Sequence, residues 1–75
     1  MPPDLDDYSR DAQRIGRRIR EVREHKNLTQ EQLLLAVSMN RAYYQDIEAG
    51  RANPTLRTLL RIARALDVPL ADLVR

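Results

Sequence analysis

The sequence predicts an all-α fold, a compact five-helix bundle, on three observations. Apolar residues recur at three- and four-residue spacings through most of the chain. No stretch alternates apolar with polar as a half-buried strand would, and helix-capping residues punctuate the chain at short intervals. Seventy-five residues with 43% apolar content make one small domain, so every helix has to contribute to a single core.

Residues 1–10 read as an acidic, flexible N-terminal tail, because Pro2 and Pro3 oppose helix and the spaced aspartates give the segment little to bury. The helical domain is placed at 11–75. Ala12, Ile15, Ile19 and Val22 form one stripe of a first helix running to about Lys26. Gly16 inside it costs roughly 1 kcal/mol relative to Ala, which close approach of another helix would explain. His25 and Lys26 suit the negative end of the helix dipole. Thr29 and Gln32 then form a capping box, with Leu28 against Leu33 as a hydrophobic staple, and start a second helix over about 30–37. A tight turn through Ser38 and Met39 leads to Asn40, which caps a third helix over about 41–49, and Gly50 is free to take the left-handed conformation that stops it. After a loop at 51–54, Thr55 caps a fourth helix with Leu56, Leu59, Leu60, Ala63 and Leu66 at helical spacing. Asp67 tolerates the left-handed stop, and a last short helix after Pro69 carries Leu70, Leu73 and Val74.

The net charge of +2 is divided unevenly. Asp4, Asp6, Asp7 and Asp11 against Arg10 give the first eleven residues −3, leaving +5 on the rest. Twelve of the thirteen basic residues are Arg, the side chain suited to planar, bidentate contact with phosphate or guanine. With no Cys and a single His, the chain offers no disulfide framework, no zinc site and no Cys or Ser/His nucleophile; no enzyme activity, metal or cofactor is expected. The longest apolar run, Leu33 to Val37, is far short of the roughly 20 residues that span a bilayer, and the N-terminus lacks a signal peptide's basic start. A soluble, cytoplasmic protein without membrane association is expected.

Two short capped helices joined by a three-residue turn form the arrangement that lays the second helix in a DNA major groove. The segment from Leu28 to Gly50, LTQEQLLLAVSMNRAYYQDIEAG, resembles without a gap the phage Cro and repressor (XRE) family of helix-turn-helix domains. The resemblance extends over roughly residues 12–74, taking in Ile19-Arg20, Arg23, Gly50-Arg51, Asn53-Pro54-Thr55-Leu56 and the helix from Leu60 to Val68. It implies the lambda-repressor-like bundle, with Leu33, Val37, Met39, Tyr44 and Ile47 as buried motif positions. The sequence departs from the family pattern at Leu34, usually a small Ala, and at Ser38, usually the turn Gly. Leu35 is apolar where relatives are commonly polar, and is read as an isolated surface residue.

At about 100° per residue, Tyr44 and Ile47 face inward, while Ala42, Gln45, Asp46 and Ala49 face out with Arg41 and Tyr43 on the flanks. Arg41 can reach guanine O6 and N7, Ala42 a thymine methyl and Gln45 an adenine; Asp46 either accepts from cytosine N4 or orients Arg41 or Arg51. Backbone contacts are expected at the N-terminal ends of the second and third helices and in the following loop, from Gln30, Asn40, Arg51 and Asn53. The resemblance further implies a structural pair between Arg23 and Glu48. Together these point to a sequence-specific regulator of transcription that binds double-stranded DNA. One short recognition helix reads few base pairs, so a homodimer on a two-fold operator is expected, with Leu70, Leu73 and Val74 as its interface. Restriction-modification controller proteins of the family share this length and layout. The alternative from another class is an antitoxin that docks a toxin through tail residues such as Leu5 and Tyr8.

Overall fold

The computed structural model describes the backbone of residues 5–75 and side chains from Tyr8 onward. Five helices follow in order: α1 (Leu5–His25), α2 (Gln30–Ala36), α3 (Arg41–Ala49), α4 (Leu56–Leu66) and α5 (Ala71–Val74). Strands are absent among the described residues. Three of the helices start on a side-chain cap. Thr29 and Gln32 make the reciprocal capping box of α2, Asn40 accepts from the Tyr43 amide, and Thr55 accepts from the Thr58 amide.

Three helices stop in one way. Asn27, Gly50 and Asp67 take positive φ of 59°, 79° and 58°. At each, the next residue's amide reaches back to close the turn: Leu28 to the Arg23 carbonyl, Arg51 to Asp46 and Val68 to Ala63, at 3.1, 2.8 and 3.0 Å. Gly50 and Asp67 are the stops expected from the sequence; Asn27 is a third, in a residue type that enters this conformation at little cost.

The core is Ile19 and Val22 of α1, Leu33 of α2 with Val37 at its C-terminal end, Tyr44 and Ile47 of α3, Leu59, Ile62, Ala63 and Leu66 of α4, and Leu73 of α5. Gly16 is what lets α1 lie on α3. A Cβ there would collide with the Ile47 carbonyl oxygen and sit 2.6 Å from that of Glu48, both backbone atoms with little room to yield.

Three expectations need correction. The helix expected from about residue 12 begins at Leu5, so residues 5–10 of the expected flexible tail are helical, and only residues 1–4 lie outside the described part. The helix-opposing prolines are confined to positions 2 and 3, and the added turns have something to cover: Tyr8, Asp11 and Ala12 line a cavity of about 80 Å³ with Ile15, Ile47, Asn53, Pro54 and Leu59. On α4 the buried stripe includes Ile62, while Leu56 and Leu60 are 63% and 37% exposed. At 100° per residue these two lie about 60° and 100° round from Leu59 on one edge, outside the arc that faces the core. Finally Leu73, expected at a dimer interface, is 0% exposed within the single chain. It is covered because α1 packs along α5, with Arg14 donating to the Val74 carbonyl and Arg18 to that of Asp72, each at 2.6 Å. Those arginines satisfy carbonyls that so short a helix leaves unpaired.

Candidate nucleic-acid interface

Caps and core together fix one helix surface in the open. The inner side of α3 is anchored by Tyr44, Ile47 and Glu48, all buried, while Arg41, Ala42, Gln45 and Ala49 are exposed and Asp46 is half-buried. Tyr43, placed on the flank by its position in the helix, is half-buried against the core.

The anchor is polar as well as apolar. Arg23 and Glu48 are each only 8% exposed, and they meet in a bidentate pair, with Nε at 2.7 Å from Oε2 and Nη2 at 3.2 Å from Oε1. Arg23 also donates to the Leu28 carbonyl at 2.7 Å, so a single side chain ties the end of α1, the α1–α2 link and α3. Glu48 accepts further from the Tyr44 hydroxyl and, at 3.0 Å, from Gln30 Nε2. Burial pushes the Glu48 carboxyl up, but the hydrogen bonds from Arg23, Tyr44 and Gln30 outweigh it and hold it below its ordinary value. The same contact with Glu48 raises Arg23 against the opposing effect of burial. Burial, then Glu48, push the Tyr44 hydroxyl far above its usual range, so it stays protonated as a donor. No buried side-chain polar atom among the described residues lacks a partner.

Around this anchor stand the residues expected to meet DNA. Gln30, half-buried at the start of α2, accepts from Gln45 Nε2 at 3.3 Å. Asn40 spends its carbonyl oxygen on the Tyr43 amide, which leaves its NH₂ as the donor group a phosphate would need. Arg41 rests 3.4 Å from Glu31 in an exposed pair. Such pairs are worth about 0–1 kcal/mol, so the guanidinium is easily released. Asp46 meets Arg51 at 2.9 Å and leaves Arg41 to Glu31. Its backbone carbonyl also accepts from the Arg51 and Ala52 amides, which fixes the loop after α3. Asn53 is exposed and faces the cavity beneath the first turns of α1. Ala42 makes no polar contact and leaves a smooth step between Arg41 and Gln45.

Glu31 as the partner of Arg41, and the tie from Gln30 to Glu48, were not anticipated from the sequence. The Thr29 cap does place Gln30 and Glu31 in the first turn of α2, but which α3 residue each meets depends on the interhelix angle. Arg14, Arg18 and Arg61 each donate to a backbone carbonyl; Arg61 reaches Ser38 in the α2–α3 turn at 3.0 Å.

Comparison with known proteins matches residues 19–73 to the helix-turn-helix family. The immunity repressor of Bacillus phage phi105 is 40% identical over 60 residues, covering 80% of this chain. The chain spans 42% of that repressor's length. The control protein C.BamHI of Bacillus amyloliquefaciens is 37% identical over 61 residues, covering 80% of this chain and 75% of its own. The crystal structure of the restriction-modification controller protein C.AhdI from Aeromonas hydrophila superposes with a TM-score of 0.80 at 36% identity, over 84% of this chain and 96% of that one.

Proposed function

The chain belongs to the helix-turn-helix family of DNA-binding regulators, and from that membership and the exposed face of α3 we propose that it is a sequence-specific regulator of transcription, acting in the cytoplasm as a homodimer on a two-fold site in double-stranded DNA. The observation that carries the reading is the rigid display of Arg41, Ala42 and Gln45 on a helix whose opposite side is locked to α1 through Arg23 and Glu48. Recognition requires such a held surface, since ordering a mobile one would consume binding energy. Similarity to controller proteins over most of their length supports a controller-like regulator in particular. No helix of the described residues is long and apolar enough to cross a membrane. With Leu73 inside the chain, the dimer contact rests on Leu70 and Val74, both only partly buried. The antitoxin alternative loses part of its anchor, because Tyr8 belongs to α1 and lines the cavity beside Pro54.

Selection of bound sites from random duplex tests the proposal. A two-fold consensus is expected, and Arg41→Ala should cost about 1–3 kcal/mol on that site while relaxing preference at one position of each half. Equal weakening on specific and random duplex would reduce Arg41 to a phosphate contact, and the absence of any consensus would remove the reading.

A further inference from the structure

The buried carboxylate of Glu48 dictates the sense of two amides on the way to the surface. Ionised and already facing Arg23 and the Tyr44 hydroxyl, Glu48 can only accept. Gln30 must therefore turn its NH₂ inward, and Nε2 lies 3.0 Å from Glu48 Oε1. That leaves Gln30 Oε1 as the group offered to α3, where Gln45 meets it with Nε2 at 3.3 Å. One N–H of Gln45 is thereby spent, and its Oε1 and second N–H remain, an acceptor beside a donor on the exposed side of the recognition helix.

We infer that Gln30 is a positioning residue for base recognition: it holds the Gln45 amide in the sense that matches adenine and opposes guanine. The inference rests on the reading of α3 as the recognition helix. Adenine offers the N6 donor and the N7 acceptor, the complement of what Gln45 has left, whereas guanine offers two acceptors at O6 and N7. Facing guanine, Gln45 sets Oε1 against O6, or against N7 if its amide is turned over, unless the amide swings so that its NH₂ alone faces both acceptors. That swing gives up the Nε2 contact to Gln30 Oε1, and Gln30 cannot follow without presenting its own oxygen to Glu48. The buried ion pair therefore enforces a base preference two side chains away, although neither Arg23 nor Glu48 touches DNA.

The test starts from the selected site and the base pair whose identity Gln45→Ala relaxes. With the wild-type protein, replacing adenine there by guanine, or by purine, which lacks the N6 amino group, is expected to weaken binding by about 5- to 150-fold. Gln30→Met keeps the length and removes the polarity. It is expected to bring the adenine-to-guanine ratio within about threefold of unity, and to change that ratio no further when combined with Gln45→Ala. Any phosphate contact made by Gln30 itself weakens adenine and guanine sites alike and leaves the ratio untouched. Circular dichroism of Gln30→Met verifies the fold, and the purine substitution reads the same contact in unaltered protein. An unchanged ratio in folded Gln30→Met, or no loss with purine, overturns the relay while leaving the regulator standing. Failure of the wild-type protein to prefer any sequence overturns both.

Discussion

Gly16 shows how one missing methyl group decides a helix contact. In an isolated helix Ala is favoured over Gly by about 1 kcal/mol. Here a Cβ would press on the Ile47 and Glu48 carbonyls. Gly16→Ala is therefore expected to destabilise by about 1–3 kcal/mol, the overpacking effect winning over propensity, as a lower urea midpoint would report. The Arg23–Glu48 pair behaves differently, because its strength is tied to pH. The Glu48 carboxyl is held below its ordinary value of 4.5 in the fold, so its contribution is complete above 4.5 and fades as pH falls through the lowered value. Glu48→Gln leaves Arg23 buried without its counter-ion and is expected to cost about 3–5 kcal/mol at neutral pH. The gap to wild type should narrow in acid, and a gap constant from neutral pH to well below 4.5 would contradict the ionised pair.

At the scale of helices, the starts and stops were legible in the sequence because they are local chemistry. Thr29, Asn40 and Thr55 cap, and Gly50 and Asp67 stop, within a few residues of where each acts. What eluded sequence reasoning depends on partners far along the chain. Leu73 reads in sequence as one of three apolar residues on a short last helix, yet its cover comes from α1, more than fifty residues earlier, through Arg14 and Arg18. The same distance hid the early start of α1, whose Tyr8 packs beside Pro54 and Leu59. The site was legible as a set of outward residues on α3, since helical period alone sorts Tyr44 and Ile47 from Ala42 and Gln45. It was not legible as a network. The correction at α5 yields a sharp contrast: Leu73→Glu puts a charge in the core and should unfold the domain, with loss of helical circular dichroism. Leu70→Glu combined with Val74→Glu should keep the fold and give monomers by sedimentation. A wild-type monomer that stays monomeric on a two-fold site would defeat that interface.

Across the whole molecule the charge is split, with −3 on the first eleven residues and +5 on the remainder. Tyr8, Asp11 and Ala12 of α1 line a cavity with Asn53, so the described end of the acidic segment, with Asp11, lies next to a loop proposed to meet phosphate. Changing Asp4, Asp6 and Asp7 together to Asn keeps the length of the chain and removes three negative charges. Random-duplex affinity is expected to rise at low ionic strength, and the gain should fade as the screening length drops to about 8 Å near physiological salt. A gain independent of salt, or none at all, would rule out electrostatic competition.

The unequal ties of the outward residues on α3 also bear on how such a protein changes its target. Arg41 is held only by a surface partner in Glu31, and Ala42 by nothing polar, whereas Gln45 is bound through Gln30 to the ion pair that secures the fold. Positions 41 and 42 can therefore drift, or be redesigned, with stability nearly untouched, and on the proposed reading new operators are most accessible by changes there. Position 45 is conservative by construction. On the proposed reading, altering the base that Gln45 meets means rebuilding Gln30 with it, so a lineage would diverge in half of its code while the other half stayed inherited with the core.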